Sequence, residues 1–237
     1  MIVFFDPNFF GIREYSIELM KELTKLKIKW AGSATINVAY DTELMELAQK
    51  SGCAGLLVGL ESLNKDTLVN SKKGFNDPNK YKDAISIMQS YGISVNGCFV
   101  LGLDGDTEEL LLSIPEQVKY LTLNLARFAI LTPVPNSPLF NRLEAEGRLL
   151  TKDWSKYNQH LAVFQPKNMT PEELTKAYWE LYNEETIDLS EVHAALLTTG
   201  NGGNFYNIDT LDNLIPVLSL TNINEVVEIG CYIYYKY

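Results

Sequence analysis

The chain has 237 residues, and 46% of them are hydrophobic, which is enough to bury an ordinary globular core. Its formal charge of -10 argues against nucleic acid as a partner, because phosphate binding needs clustered Lys and Arg. No window approaches the roughly 20 apolar residues of a membrane span, and the short apolar N-terminus lacks the basic region of a signal peptide, so we expect a cytoplasmic protein without a membrane partner.

Strand and helix patterns alternate from the first residue onward. The apolar run of residues 2–5 predicts a buried strand with no element before it. Apolar residues at helical spacing predict a helix over 13–27, and residues 28–37 predict the second strand. Asp41 can cap the next helix, because an aspartate side chain accepts hydrogen bonds from the free N–H groups of a first turn.

The middle of the chain continues the alternation. Residues 55–60 predict a short buried strand, and residues 64–73 predict a short helix. Pro78 opens a further helix, since proline is favoured at the first helical position. Residues 93–103 predict the fourth strand, and Pro115 should kink the helix that follows it.

The fifth and last strand of this alternating series covers residues 127–131, and two further helices follow it. The first of these helices ends at Gly147. The second opens at Thr170, which forms a capping box with Glu173. Residues 226–235 predict a separate strand near the C-terminus.

Five strands separated by helices predict an α/β fold of parallel βα units with right-handed crossovers. Their spacing is typical of a partial (β/α) barrel of the TIM-like type, while a doubly wound sheet stays open. We expect residues 1–187 to form this core. Residues 188–237 contain a single basic residue, Lys236, and are predicted to be a C-terminal appendage of unknown role.

The cysteines give no sign of a metal site. Cys53, Cys98 and Cys231 are far apart, and the sequence contains neither CxxC nor CxxxCxxC. With only His160 and His193, a histidine-rich zinc site is not expected either. We therefore predict no metal ligands, and we expect Cys53 and Cys98 to be buried thiols.

Polar residues recur where the predicted strands end, and functional sites in parallel βα folds form at that edge. Such a cluster can bind a hydroxylated ligand, an ammonium group or a hard cation. Asp and Asn also cap helices and form turns there, whereas Glu61 is a poor turn or cap residue and so indicates a site more strongly. The candidates are Asp6, Asn8, Ser33, Asn37, Glu61, Ser62, Asp104, Asp106 and Thr132.

Nine short segments follow one another in a consistent order and spacing. They are FFDPNF at 4–9, KWAG at 29–32, GLLVGLESL at 55–63, GCFVLGLD at 97–104, LTP at 131–133, PLF at 138–140, GRLLT at 147–151, DW at 153–154 and VFQPKNM at 163–169. Taken together, these segments resemble the radical S-adenosylmethionine superfamily, in the branch whose members often carry a cobalamin-binding domain. The resemblance covers roughly residues 2–185.

The resemblance implies a six-stranded partial (β/α) barrel and a particular chemistry. Its first strand leads into a CxxxCxxC loop that holds a 4Fe-4S cluster, and the cluster chelates S-adenosylmethionine and cleaves it to a 5′-deoxyadenosyl radical. By position, Asp6 and Asn8 would contact the methionyl amino group, Glu61 and Ser62 would lie near the ribose and carboxylate, and residues 131–133 would lie beside the adenine. The implied cofactor-binding residues are Asp6, Asn8, Ser33, Asn37, Glu61, Ser62, Asp104, Thr132 and Pro133.

The sequence also departs from the family pattern. The first βα unit with its CxxxCxxC loop is missing, as is a cobalamin domain. Pro7 stands where a second aspartate is expected, and Gly105 stands where a histidine is more usual. A 4Fe-4S cluster cannot be held without thiolate ligands, so we expect this chain alone to lack radical activity.

Three functional hypotheses follow. The first is the S-adenosylmethionine-binding portion of a radical enzyme, active in methyl transfer or a related modification once the missing part is supplied. The second is a non-catalytic binding or structural remnant in which residues 226–235 pair as a strand beside residues 2–5. The third is a divalent-cation-dependent βα enzyme that uses Asp6, Glu61 and Asp104. An uncovered first strand also predicts a partner chain or a homodimer at that edge.

Overall fold

Five parallel strands form one sheet in the computed structural model, which describes residues 1–70, 73–74 and 76–182. The strands are hydrogen-bonded in chain order, and each is parallel to the next. A doubly wound sheet would reverse its order midway, so the observed order confirms the predicted partial barrel, and the sheet curls into a half-barrel. The strands are β1 (Ile2–Val3), β2 (Trp30–Ala34), β3 (Cys53–Glu61), β4 (Ser94–Leu101) and β5 (Leu125–Ile130).

Helices connect the strands, and several begin at the predicted caps. The Asp41 side chain accepts from the Leu44 backbone N–H, and the predicted capping box of Thr170 and Glu173 is present. The helices are α1 (Arg13–Leu26), α2 (Thr42–Lys50), α3 (Lys65–Asn70), α4 (Pro78–Ser90), α5 (Glu108–Leu121), α6 (Pro138–Ala145) and α7 (Pro171–Glu180). Helix α5 contains Pro115 and continues beyond it to Leu121.

The first strand differs from its prediction in both length and burial. β1 comprises two residues rather than residues 2–5, and Ile2 and Val3 are 44% and 47% exposed. The cause is its position, because β1 pairs only with β2 at the margin of the sheet. Among the described residues, no strand lies on its outer side.

The second strand is also shorter than predicted. The prediction covered residues 28–37, but β2 ends at Ala34 and the chain turns into a short 3-10 helix, Ile36–Tyr40. Asn37 therefore lies on a helical turn, where it is exposed, and it does not extend the strand.

The two faces of the sheet have different environments. On β4, Val95, Phe99 and Leu101 are at most 2% exposed and belong to the core that packs against the helices. The alternate residues, including Cys98, are partly exposed on the other face. Cys53 is buried as predicted, whereas the prediction of a buried Cys98 was wrong because its strand register points it to the open face.

The outer edge of β5 is covered. The Ile130 backbone N–H donates to the Gln159 carbonyl at 2.8 Å. The Tyr182 hydroxyl accepts from the Phe128 N–H at 3.0 Å and donates to the Phe128 carbonyl at 3.1 Å. These contacts satisfy backbone groups that an edge strand would otherwise present to another chain.

The predicted appendage of residues 188–237 lies outside the described residues, as does the predicted strand of residues 226–235. The division of the chain at residue 187 therefore stays a prediction. Within the part of the chain that the structure describes, no helix combines the length and the apolar character needed to cross a bilayer.

Candidate functional site

The carboxyl ends of the five strands lie along one edge of the sheet, since neighbouring strands are parallel. Backbone hydrogen bonds tie the loops at this edge together. The Phe9 N–H donates to the Ser33 carbonyl at 2.8 Å, and the Leu131 N–H donates to the Leu101 carbonyl at 2.8 Å. The edge predicted to carry the site is therefore a continuous rim.

Glu61 ends β3 in an unusual backbone conformation. Its φ of +68° lies in the left-handed region, and the register with β4 shifts between Gly59 and Glu61. Such conformations cost energy in a non-glycine residue and concentrate at functional sites. Glu61 is 7% exposed, and one of its carboxylate oxygens lies 3.3 Å from the Lys73 ammonium. Burial raises the pKa of Glu61, and the attraction of Lys73 offsets this only in part.

Polar side chains hold the residues around Glu61 in place. The Tyr81 hydroxyl donates to the Leu60 carbonyl at 2.7 Å, and the Asn76 amide donates to the same carbonyl at 3.2 Å. Ser62 is buried, and its hydroxyl accepts from the Asn64 N–H at 3.1 Å. The end of β3 is thus fixed from the side of α3 and α4.

Asp106 supplies a second buried carboxylate on the loop after β4. It is 3% exposed, and its Oδ2 accepts from the backbone N–H groups of Gly102 and Leu103, each at 2.9 Å. Its Oδ1 has no hydrogen-bond partner among the described residues. Burial raises the pKa of Asp106 to about 7, and the nearby charge of Asp104 adds to this effect. A buried oxygen without a partner is costly and indicates a place for a donor.

Glu61, Ser62 and Asp106 line one small cavity, whose other walls are Leu63 and apolar residues of β4 and α5. Two buried carboxylates on neighbouring strand ends accept hydrogen bonds and favour positive charge. The arrangement suits a ligand group with several hydrogen-bond donors, such as hydroxyls or an ammonium. The sequence analysis named Asp106 only as a polar residue at a strand end. A stronger indication was its position directly before Thr107, which caps α5 by accepting from the Leu110 N–H.

Asp104 faces a different set of partners. Its Oδ2 lies 2.7 Å from an Arg142 nitrogen and 3.2 Å from the Lys167 ammonium, while Oδ1 lies 3.0 Å from both Arg148 terminal nitrogens. Partial burial opposes ionisation, but these hydrogen bonds outweigh it and hold the pKa of Asp104 below its ordinary value. Asp104 is therefore engaged in an ionic network and does not line the cavity.

The predicted residues on the first two strands lie on the rim but away from this cavity. Asp6 is exposed, and the Asn8 side chain accepts from the Phe10 N–H at 3.3 Å within a turn. Ser33 is half-buried in β2, and Asn37 is exposed. Their assignment to a cofactor stays a prediction.

The predicted residues after β5 are buried. The Thr132 hydroxyl donates to the Ile130 carbonyl at 3.0 Å, and Pro133 follows it in the loop. Neither residue lines the cavity with Glu61, so their place beside an adenine also stays a prediction.

Gly105 stands where the family pattern favours histidine, and in this fold a glycine is favoured at this position for a steric reason. A Cβ atom at this position would lie 2.4 Å from the Thr67 hydroxyl and 3.3 Å from the Thr67 Cα. The loop after β4 thus packs directly against α3, and a larger side chain would force the two apart.

No group of three or more His, Cys, Asp or Glu side chains gathers within the described ranges. Glu61 and Asp104 each pair with cationic side chains, so the site predicted for a divalent-cation enzyme is not assembled. Cys53 is buried, which raises its thiol pKa to about 12, and Cys98 lies on another strand. The described residues therefore do not supply the thiolates that a 4Fe-4S cluster requires.

The chain is similar to curated methyltransferases. Bacteriochlorophyllide d C-12(1)-methyltransferase of Chlorobaculum tepidum is 31% identical over 181 residues, which cover 76% of this chain and 39% of the relative. Hopanoid C-2 methylase of Rhodopseudomonas palustris is 32% identical over 163 residues, covering 64% of this chain and 30% of the relative. The chain thus spans less than half the length of either protein.

The fold is similar to that of a solved enzyme. The structure of TsrM from Kitasatospora setae, a radical S-adenosylmethionine methyltransferase with cobalamin and a 4Fe-4S cluster bound, superposes with a TM-score of 0.60 at 16% identity. The match covers 96% of this chain and 51% of TsrM. No protein-family model matches the sequence.

Proposed function

Because the chain belongs to the radical S-adenosylmethionine superfamily, we propose that its half-barrel binds S-adenosylmethionine along the rim at the ends of β3 and β4, with a donor group of the cofactor directed into the small cavity there. Glu61, Ser62 and Asp106 are the side chains that hold the cofactor there. The observation that carries the proposal is the pair of buried carboxylates on neighbouring strand ends, one of which has an oxygen without a partner among the described residues.

The chemistry of these residues fits the cofactor. S-adenosylmethionine carries an ammonium, a sulfonium and two ribose hydroxyls, so it offers hydrogen-bond donors together with positive charge. Asp106 Oδ1 can accept from such a donor while Oδ2 stays on the Gly102 and Leu103 N–H groups. Glu61 adds a second acceptor, and the left-handed backbone at this residue fixes the direction of its carboxylate.

We propose radical methyl transfer, or a related modification, as the activity of the complete system. Bound S-adenosylmethionine supplies a transferable methyl group or a 5′-deoxyadenosyl fragment. The proposal draws on the names of the relatives, two of which are a C-12(1)-methyltransferase and a C-2 methylase. The role of this chain is to bind and orient the cofactor at the rim and to keep bulk water from its buried groups.

We propose that this chain does not hold the iron–sulfur cluster by itself, because its three cysteines are far apart and show neither CxxC nor CxxxCxxC spacing. Anaerobic treatment of the full chain with iron and sulfide is expected to give no charge-transfer absorbance and no cleavage of S-adenosylmethionine. A chain that acquires a cluster under these conditions would contradict this part of the proposal.

Calorimetric titration of the full chain with S-adenosylmethionine tests the site. Glu61→Gln keeps the shape of the side chain but removes its charge, and charge-assisted hydrogen bonds contribute about 1.5–3 kcal/mol. We therefore expect the dissociation constant to rise about tenfold or more. Glu22→Gln is the matched control, because Glu22 pairs with Lys25 on the exposed surface of α1.

Two results would overturn the proposal. One is the absence of binding heat with the unmodified chain. The other is an equal effect of Glu61→Gln and Glu22→Gln on the dissociation constant, which would show that Glu61 does not bind the cofactor.

A further inference from the structure

Three cationic side chains converge on Asp104 at the rim. Arg142 from α6, Arg148 from the following loop and Lys167 from a later segment lie within 3.2 Å of its carboxylate oxygens. Glu146 also pairs with Arg148, at 2.9 Å. Three positive charges thus face two negative ones, on a chain whose formal charge is -10.

Arg142 and Lys167, the two outer side chains of this cluster, are half-exposed and have further hydrogen-bond donors. The side chains of Arg142 and Lys167 are 47% and 50% exposed. Arginine has five N–H donors and lysine has three, and each of these two side chains makes one contact with the Asp104 carboxylate. Both could therefore bind a second anion beside Asp104.

The base of the cluster is rigid. Arg148 has a side chain only 12% exposed, lies over the Phe164 ring at 5.9 Å, and donates from Nε to the Gln165 carbonyl at 2.7 Å. Asn168 donates to the backbone carbonyls of Asp104 at 3.2 Å and Asp106 at 3.0 Å. Arg148 and the loop that carries Asp104 are thus held in position before any ligand arrives, which lowers the entropic cost of binding.

We propose that Arg142 and Lys167 form an oxyanion-binding site at the rim, and that it receives a carboxylate or phosphate group of the substrate. Arginine binds such groups in a planar, bidentate geometry, and lysine adds a point charge. In the free protein, Asp104 occupies part of the same donor set. A ligand anion competes with Asp104 Oδ2 for the two exposed cations, while Arg148 keeps its hold on Oδ1.

In this proposal the anion belongs to the substrate and not to the cofactor. Arg142, Arg148 and Lys167 are all absent from the lining of the cavity that contains Glu61, Ser62 and Asp106. This assignment rests on the proposed function, because it takes that cavity as the cofactor site.

Titration of the full chain with inorganic phosphate, and separately with succinate, tests the site at constant ionic strength balanced with chloride. We expect saturable binding of both probes by calorimetry, with dissociation constants in the millimolar range. Chloride balance is needed because exposed charges are screened by salt. Absence of saturable binding by the unmodified chain would overturn the proposal.

Variants locate the binding. The double variant Arg142→Gln, Lys167→Gln should weaken phosphate binding about tenfold, equivalent to about 1.4 kcal/mol. Arg142→Lys keeps the positive charge but loses the bidentate geometry, so it should weaken phosphate binding less than the double variant does. Lys176→Gln is the control, since Lys176 pairs with Glu180 on the surface of α7. Equal binding by the double variant and this control would overturn the site.

Asp104→Asn separates competition from a structural role, with thermal unfolding as the check that the variant is folded. If Asp104 competes with the ligand, this variant binds phosphate severalfold more tightly. If the network serves only to hold the loop, the folded variant binds phosphate no more tightly than the unmodified chain, and the competition is refuted.

A final titration distinguishes an anion of the substrate from the carboxylate of the cofactor. Phosphate titration is repeated with saturating S-adenosylmethionine, and unchanged phosphate affinity is expected. Loss of phosphate binding would show that the cluster receives the carboxylate of the cofactor, which overturns the assignment to the substrate and leaves the proposed function intact. Phosphate binding without any cofactor binding would instead contradict the proposed function.

Discussion

At the scale of single residues, Glu61 and Asp106 illustrate how one fold gives two carboxylates different surroundings. Glu61 has a lysine partner and a strained backbone, whereas Asp106 has two backbone donors and one oxygen without a partner among the described residues. Both pKa values are raised, and burial is the first cause for each. Such groups are costly for stability and typical of functional sites.

The raised pKa of Asp106 predicts a pH dependence of stability. The folded form holds its proton up to about pH 7, whereas the ordinary value is 3.8. Between these values the folded state binds more protons than the unfolded state, so the Asp106 contribution to the free energy of unfolding falls as pH rises, and it is constant above pH 7.

Asp106→Asn removes this titration. We expect the stability of the variant relative to the unmodified chain to increase from about pH 4 to 7, by at most about 4 kcal/mol. Urea unfolding at several pH values measures the difference, and contributions of other groups such as Glu61 cancel in it. A difference that does not change with pH would show that Asp106 titrates normally.

Gly102, near the site, combines a left-handed backbone with a close neighbouring side chain. Its φ is +87°, and a Cβ atom would lie 2.5 Å from a Leu174 methyl group. Gly102→Ala should therefore lower the free energy of unfolding by about 2 kcal/mol or more, from strain and overpacking together. Gly92→Ala is the control, with a φ of +73° but no atom within 4 Å, and should cost about 1 kcal/mol. Equal losses in urea unfolding would show that the Leu174 contact has no effect.

At the scale of elements, helix starts were predictable and strand extents were not. Asp41, Thr107 and Thr170 act locally, because each accepts from a backbone N–H three residues ahead. The length of β1 and the end of β2 depend on which neighbours pair with them, and no local pattern encodes that. Apolar residues 2–5 therefore looked buried, although the fold places them at an edge.

Tyr182 provides a test of how the last strand is protected. Tyr182→Phe removes the hydroxyl that bonds both the N–H and the carbonyl of Phe128. We expect a loss of about 1 kcal/mol in the free energy of unfolding and faster hydrogen exchange at the Phe128 amide. Tyr15→Phe, at an exposed position of α1, should change neither. Unaltered exchange at Phe128 would contradict a protective role for Tyr182.

At the scale of the whole molecule, the alternation of strands and helices was enough to predict a sheet of parallel strands whose carboxyl ends share one edge. The grouping within that edge was not predictable. Glu61 joins Asp106 because β3 and β4 are neighbours with a register shift at Glu61, and Asp104 is drawn away by cations 38 to 63 residues distant along the chain. The spacing of residues in the sequence predicts where strands end, whereas contacts between distant segments determine which residues share a cavity.

The two margins of the sheet differ in whether their backbone groups are already hydrogen-bonded, and this difference has a consequence for assembly. On one side Gln159 and Tyr182 occupy the backbone of β5, while within the described residues β1 has no neighbour beyond it. As far as the described residues go, the sheet can thus be lengthened only beside β1, whatever the origin of the added strand. Two copies that met through β1 would block each other's free margin. Association along the sheet would then stop at a pair and could not propagate into a fibre.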